Sequence, residues 1–215
     1  MVRIPLFPLH VILFPHMPLG LHIFEPRYKA MLRDCRESGT SFGVVAIRSG
    51  CEVGAAADPH GVGTLASIER VERLEDGGYQ LLVVGTSRFR IRHTHTHRPY
   101  LMGEIEYLAE APAGDPALDR LCADVAGSFR RYTRALRGLV ERPEPALDLP
   151  RDPEVLSYLV AATLAVDLGR KQELLETEAV SDRLRRELQL MRREQSFLDQ
   201  QLAHRTARVA VQSLN

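Results

Sequence analysis

The stretch IPLFPLHVILFPHMPLGLHIFEPRYKAML, residues 4–32, decides the fold predicted for this chain. It is strongly apolar, yet five of its residues are prolines. Because proline removes a backbone donor and disfavours helix in the residue before it, the stretch cannot form one long helix. After Pro26, apolar residues recur at helical spacing as far as Gly39. The stretch therefore predicts a strand, a kink, a second strand and then a helix.

The residues up to about Glu110 predict further strands. Short apolar or alternating runs cover residues 42–47, 64–73, 79–84, 87–94 and 100–108, and Asp76-Gly77-Gly78 forms a turn between two of them. Many short strands with a single helix among them are typical of a closed or nearly closed β barrel or a sandwich. We therefore expect residues 1–110 to form a β-rich, barrel-like subdomain.

The pattern becomes helical after the Ala/Pro/Gly-rich segment AEAPAGDP at residues 109–116. Apolar residues repeat at helical period over 118–140 and 155–164, and Gly169 is predicted to end the second of these helices. A short helix is predicted over 171–175, and Ser181 caps a long final helix. The predicted fold class is thus α+β, with a helical subdomain over 111–215. The final helix carries an apolar seam that consists of Leu184, Leu188, Met191, Leu198 and Leu202. Either its own bundle or a second copy of the chain must cover this seam, so a homodimer is a candidate state.

The composition is that of an ordinary globular protein, with 45% hydrophobic and 26% charged residues. Basic and acidic residues balance at 28 each, which argues against a nucleic-acid or membrane partner. Cys35, Cys51 and Cys122 are too few and too far apart for a disulfide framework or a paired metal site. No apolar run approaches the roughly 20 residues of a spanning helix. We expect a soluble, unprocessed protein of the reducing cytoplasm.

Four stretches resemble the amino-terminal, substrate-binding domain of the Lon family of ATP-dependent proteases, and especially its standalone relatives. They are FPLHVILFPHMPLGLHIFEPRYKAML (7–32), GVGTLASIERVERLEDGGYQLLVVGTSRFRI (61–91), YLMGEIEYL (100–108) and LSYLVAATLAVDLGRKQELLETEAVSDRLRREL (156–188). The resemblance implies a PUA-like barrel followed by helices. It also implies recognition of unfolded or extended polypeptides, with a separate protease as a candidate partner.

The chain lacks the motifs of the other Lon modules. No Gly precedes a Lys, so there is no phosphate-binding Gly-Lys-Ser/Thr loop. Lys29 and Lys171 both fall within predicted helices and away from a plausible nucleophilic serine, so a Ser/Lys dyad is not supported. We therefore predict a non-catalytic protein without cofactor or metal.

The candidate polypeptide-binding residues come from the proline-rich stretch. Residues 13–23 contain too many large apolar side chains for all of them to face a core, and Met17, Pro18 and Leu19 are the ones expected outside, together with Phe24. Methionine and proline beside an open strand edge suit adaptable binding of extended chains. The equally weighted alternative is that these residues close one end of the barrel.

A second hypothesis concerns Arg88, Arg90 and Arg92, which alternate with Phe89 and Ile91 and so predict a basic strand face. Such a face could contact phosphate or an acidic ligand, and PUA-like barrels elsewhere bind RNA, so an RNA-binding module is the alternative function. We favour a solvated face whose arginines pair with carboxylates on neighbouring strands.

The run His93, His95 and His97 suggests a third hypothesis, a metal-dependent hydrolase. Histidines two apart on a strand lie about 6.7 Å apart on one face, so two of them could share a zinc ion. The run has no carboxylate or cysteine close by in sequence, and zinc sites need a fuller ligand set. An exposed polar strand end is the favoured interpretation.

Overall fold

The structure is a computed structural model that describes residues 2–52, 54, 57–109, 116–140 and 148–195. The strands are β1 (Val2–Leu9), β2 (Pro18–Ile23), β3 (Phe42–Gly50), β4 (Ala57–Arg73), β5 (Tyr79–His95) and β6 (Met102–Tyr107). The helices are α1 (Pro26–Ser38), α2 (Pro116–Val140), α3 (Pro153–Thr163), α4 (Leu168–Glu176) and α5, which is described over residues 180–195. The α+β fold class predicted from the sequence is confirmed.

The chain divides into two compact units. The first contains Met1–Glu110 together with Ala161–Glu178, and the second contains Ala111–Val160 and Ala179–Asn215. Residues 161–178 therefore group with the sheet, although the sequence assigned them to the helical subdomain 111–215. The physical reason is the anchoring of α4 on β5 that is described below.

The strands of the first unit close into a ring. The sheet order is β2-β5-β4-β3-β1-β6, and β5 also pairs with β6. Strand β1 runs parallel to β3 and antiparallel to β6, so the amino-terminal strand completes the barrel wall. Strand β2 lies outside this ring and pairs only with β5 among the described strands. The predicted rolled sheet is thus a closed five-stranded barrel with one appended strand.

Strand β5 is a single strand of 17 residues, whereas the sequence suggested two strands separated near Gly85. Gly85 is needed because the kink before β2 docks there. His16 N–H donates to Gly85 O at 2.8 Å, and Gly85 N–H donates to Met17 O at 3.0 Å. A Cβ atom at Gly85 would lie 2.2 Å from the Phe14 carbonyl oxygen. Glycine at position 85 therefore allows the Phe14 backbone to approach β5 closely, and the strand continues without a break.

Apolar side chains fill the barrel and the space under α1. One buried cluster joins Tyr28, Met31 and Leu32 of α1 to side chains of β1, β2, β3 and β5, and a second is centred on Phe89. Helix α1 begins at Pro26 and ends where Gly39 adopts φ 64°, as the sequence predicted. The result places β2 and the start of α1 side by side on one surface of the barrel.

Helix α4 is anchored on β5 by a buried arginine of the same unit. Arg88 is 1% exposed, and its Nη1 donates to the carbonyl oxygens of Leu175 at 2.7 Å and Thr177 at 2.8 Å. The last carbonyls of a helix lack intrahelical donors and carry the negative end of the helix dipole. The Arg88 guanidinium therefore donates to these unpaired carbonyls and offsets the negative end of the α4 dipole.

We predict that Arg88→Met destabilises the protein by about 3 kcal/mol, because buried carbonyl oxygens lose a charged donor. Urea unfolding measures the free energy change, and hydrogen exchange should be faster in α4. Arg92→Met is the matched control, since Arg92 and its partner Glu106 are about half exposed. The control should lose less than about 1 kcal/mol. Equal, small losses in both variants would contradict the anchoring role.

The second unit buries two ionisable residues of α5, Arg183 and Glu187. Arg183 lies over the Tyr158 ring, with Cζ 4.0 Å from the centroid, and its Nε donates to Ser157 Oγ at 2.8 Å. Glu187, one helical turn later, is fully buried, and neither carboxylate oxygen has a hydrogen-bond partner among the described residues. Burial raises the pKa of the Glu187 carboxyl well above its usual range, although the Arg183 charge acts in the opposite direction.

The apolar seam of α5 is mostly covered within the single chain. Leu184, Leu188 and Met191 are buried, whereas Leu198 and Leu202 lie outside the described residues. One boundary differs from the sequence analysis: α3 ends at Thr163, and Gly169 lies inside α4 instead of ending the preceding helix. Asp167 starts α4 by accepting a hydrogen bond from Arg170 N–H at 2.9 Å.

We predict that Glu187→Gln stabilises the protein by about 1 kcal/mol at pH 7 and has little effect near pH 4. A carboxyl whose folded-state pKa is raised stays neutral in the fold while the unfolded chain ionises, so wild-type stability falls as pH rises above about 4.3. Urea unfolding at pH 4, 6 and 8 tests this. Asp124→Asn, at an exposed carboxylate of the same unit, should show no such pH dependence. A stability difference that stays constant with pH would mean that Glu187 is charged in the fold.

Candidate functional site

A groove of about 420 Å³ runs beside β2 on the first unit. Its floor consists of the buried side chains of Phe7, Leu9, Leu21 and Tyr28. Partly exposed apolar side chains form its walls and rim: Val11, Leu19 and Phe24. The groove is therefore apolar at its base and open to solvent above.

Local sequence positions these side chains. Strand β2 pairs in register with Tyr79–Val84 of β5, which places Leu19 and Leu21 on one face of the strand. Phe24 follows β2 immediately and precedes the Glu25-Pro26 start of α1, so it lies on the turn and remains 49% exposed. The His22 ring lies 5.5 Å from the Phe24 ring, measured between centroids.

Charged residues close one end of the groove. Glu25 occupies the N-cap position of α1, but its side chain makes no capping hydrogen bond. It instead accepts from Arg27 Nε at 3.1 Å and from Gly54 N–H at 3.3 Å. Arg27 donates to the Glu52 carbonyl oxygen at 3.1 Å, which ties the start of α1 to the loop after β3.

The lining residues can bind but have no evident covalent chemistry. Neither serine, cysteine nor lysine is among the described residues that line the groove. Tyr28 is one of the buried side chains of the floor, and burial raises the pKa of its hydroxyl. Cys35 lies behind it in the core, where burial raises the pKa of the thiol to about 11 and keeps it protonated.

The structure places the four candidate polypeptide-binding residues in two groups. Leu19 and Phe24 line the groove, whereas Met17 and Pro18 lie at the start of β2 and are not among the lining residues. Pro18 is exposed and Met17 is half-buried. The sequence analysis missed Val11 and Tyr28, whose contribution depends on β1 and α1 meeting beside β2.

The three arginines do not form one solvated face, and that prediction is wrong at Arg88. Arg90 pairs with Glu178 at 3.2 Å and Arg92 pairs with Glu106, so both are near solvent. Arg88 points to the same outer face, but residues 175–178 cover it there. It therefore cannot contact an external phosphate or acidic ligand in this structure.

The histidine run lies at the end of β5. His93 and His97 are exposed, and His95 Nε2 lies 3.3 Å from a Glu104 carboxylate oxygen that the sequence analysis had not associated with the run. Arg3 also contacts this carboxylate at 2.5 Å, and its hydrogen bond holds the pKa of Glu104 below the usual range. Within the described ranges, no three His, Cys, Asp or Glu side chains are grouped as metal ligands would be.

A second depression, of about 630 Å³, lies on the outer surface of β5 and β6. Val2 and Tyr107 supply exposed apolar surface there, and Tyr107 is 53% exposed. Strand β6 lies between β1 and β5 as far as Ile105, and Glu106 and Tyr107 pair with β5. This surface resembles the groove in apolar character, but its strands belong to the closed barrel and not to an appended strand such as β2.

In the part of the chain that the structure describes, no helix is both long and apolar enough to cross a bilayer.

Comparison with known proteins gives a consistent picture. The family model described as the ATP-dependent protease La (LON) substrate-binding domain matches residues 3–193. Lon protease 1 of Thermus thermophilus is 32% identical over 211 residues, which are 95% of this chain but 26% of that protein. Lon protease 2 of Syntrophobacter fumaroxidans is 27% identical over 176 residues, 81% of this chain and 22% of that protein. The chain thus spans about a quarter of the length of these relatives.

Solved structures agree with the fold. The crystal structure of a Lon N-terminal domain protein from Xanthomonas campestris has a TM-score of 0.64 at 27% identity, over 86% of this chain and 96% of that one. The N-terminal domain of the Mycobacterium avium complex Lon protease has a TM-score of 0.64 at 22% identity, over 88% and 98%, and supports the fold alone. With the family model matching most of its length, the chain belongs to the Lon substrate-binding domain family.

Proposed function

We propose that the groove beside β2 binds exposed apolar segments of unfolded or extended polypeptides, without cleaving them. The single observation that carries this proposal is an open apolar groove, with Leu19 and Phe24 at its rim, in a chain of the substrate-binding family. Unfolding and cleavage of a bound client are then the work of ATPase and protease modules. A cytoplasmic location fits this role.

The groove suits weak, unselective binding. Burial of about 300 Å² of apolar client surface contributes about 7.5 kcal/mol at ~25 cal/mol/Å², from which the cost of ordering the client, about 1.5 to 2 kcal/mol, is subtracted. The resulting dissociation constants are in the range of tens of micromolar to about 100 µM. Such affinity allows a client to be captured and then released, and it does not depend on one particular sequence.

The RNA-binding alternative has less support than the sequence suggested. Its basic face is reduced to Arg90 and Arg92, each of which pairs with a carboxylate. A homodimer through α5 likewise has less apolar surface to use, because three of the five seam residues are buried within the chain. Both remain proposals that the experiment below also addresses.

We predict that Leu19→Ala and Phe24→Ala each weaken binding of a labelled, reduced and carboxymethylated model protein by about five- to thirtyfold, since each removes an apolar anchor at the rim. Fluorescence anisotropy titrations at fixed salt measure the affinity. Tyr107→Ala is the matched control, because Tyr107 is an equally exposed aromatic residue away from the groove. It should change the affinity less than twofold.

The native form of the same model protein should bind more weakly than the unfolded form. Failure of the unfolded form to bind at 100 µM, on the order of the weakest affinity expected here, would contradict the proposal. An equal loss with Tyr107→Ala would move the site away from the groove. Salt-sensitive RNA binding that is lost in Arg90→Ala and Arg92→Ala would favour the alternative function. Light scattering on the same samples reports the oligomeric state.

A further inference from the structure

The open edge of β2 faces the groove. Four consecutive residues of the strand line it, from Leu19 to His22. Because side chains of a strand alternate between faces, four consecutive residues can border one groove only if it runs along the edge of the strand. The opposite edge of β2 is paired with β5, so the groove follows the unpaired side.

The hydrogen-bonding pattern between β2 and β5 shows which peptide groups of β2 point toward that edge. Gly85 N–H donates to Met17 O at 3.0 Å, directly before the paired positions Pro18↔Val84. In an antiparallel ladder, hydrogen-bonded and non-hydrogen-bonded pairs alternate. Pro18, Gly20 and His22 are therefore non-hydrogen-bonded positions toward β5, and their peptide groups point away from it. Pro18 has no N–H, so the edge offers the N–H and C=O groups of Gly20 and His22.

These peptide groups have no other protein partner in the described ranges. Gly20 and His22 are exposed, and no backbone segment or side chain described here donates to or accepts from their outward groups. Natural proteins usually blunt such an edge with a charged side chain, a bulge or a covering segment. Strand β2 has Pro18 at its start, but none of its residues is Lys, Arg, Asp or Glu.

We propose that the client binds as an added β-strand along β2. Its backbone exchanges hydrogen bonds with Gly20 and His22, and alternate side chains enter the groove between Leu19, Val11 and Phe24. This proposal rests on the proposed function and specifies its binding mode. The occupant is an extended polypeptide because only such a chain repeats paired donors and acceptors at the roughly 6.7 Å spacing of the edge.

Backbone pairing explains how one site accepts many clients and excludes folded proteins. The hydrogen bonds use groups that every residue except proline carries, so the affinity does not depend on a specific side chain. A folded protein has already paired those groups within its own helices and sheets. Two peptide units of the edge, at Gly20 and His22, correspond to a client segment of about four to five residues.

His22→Pro is the sharpest variant for testing this mode. It removes the outward N–H of His22 but no hydrogen bond to β5, and proline is tolerated on an edge strand where its nitrogen faces outward. We expect about a tenfold loss of affinity for the unfolded model protein. His22→Ala removes the side chain but keeps the N–H, so it measures what the imidazole contributes to binding. His22→Pro should bind at least about fivefold more weakly than His22→Ala. Thermal unfolding confirms that both variants are folded.

A client-side experiment gives an independent answer. The probe is a fluorescent peptide of eight residues in which valine alternates with serine, prepared unmodified or N-methylated on one alternate set of amides. Amides of alternate residues point to the same edge of an extended chain. We expect methylation of one set to abolish binding and methylation of the other set to preserve it. The comparison of the two methylated peptides also tests strand addition along β2 if His22→Pro does not fold.

The outcomes separate the binding mode from the proposed function. If the unfolded protein and the unmodified peptide bind, but both methylated peptides and His22→Pro bind equally well, strand addition is wrong and the apolar groove alone accounts for binding. If neither the unfolded protein nor the unmodified peptide binds, the proposed function itself fails. An equal loss in His22→Ala and His22→Pro would assign the effect to the side chain and would also overturn strand addition.

Discussion

The pairing of β5 with three other strands is the constraint on which the first unit depends. Residues 79–84 of β5 pair with β2 on one side, residues 79–90 pair with β4 on the other, and residues 89–95 pair with β6 to close the barrel. Within the same strand, Gly85 receives the kink that leads into β2, Phe89 fills the core, and Arg88 holds α4 on the outside. One long strand thereby positions the barrel, the groove beside β2 and the helix α4 that packs over Arg88.

Local signals were sufficient for the amino-terminal part of the fold. The prolines of residues 4–32, the helical spacing after Pro26 and the left-handed Gly39 all act within a few residues, so the strand, kink, strand and helix could be predicted in order. Gly85 and Gly169 were misinterpreted, each for a different reason. Their surroundings suggested an end to a strand and to a helix. Gly85 is in fact required by the distant Phe14 carbonyl, and Asp167 starts a new helix beside Gly169.

The candidate site shows the same limit. The alternation of Arg88 with Phe89 correctly indicated opposite faces of β5, but no local pattern shows that residues 175–178 cover the outer face. The partial exposure of Leu19 and Phe24 could be predicted because their own neighbours place them on a strand and on a turn. Val11, Tyr28 and the unpaired edge depend on how separate elements meet, and only the folded chain reveals them.

The position of β1 has a consequence for how the protein reaches this structure. Of the six strands of this sheet, β1 is synthesised before the others, yet it lies between β3 and β6, and its Val2 pairs with Ile105 of β6. Ile4 and Leu6 belong to the same buried cluster as Ile105 of β6, so this part of the core cannot be completed until about a hundred further residues have been synthesised. Closure over such a separation is slow, and unpaired apolar strands are prone to aggregate in the interval. During its own synthesis, this protein is a polypeptide of the kind that its mature groove is proposed to bind.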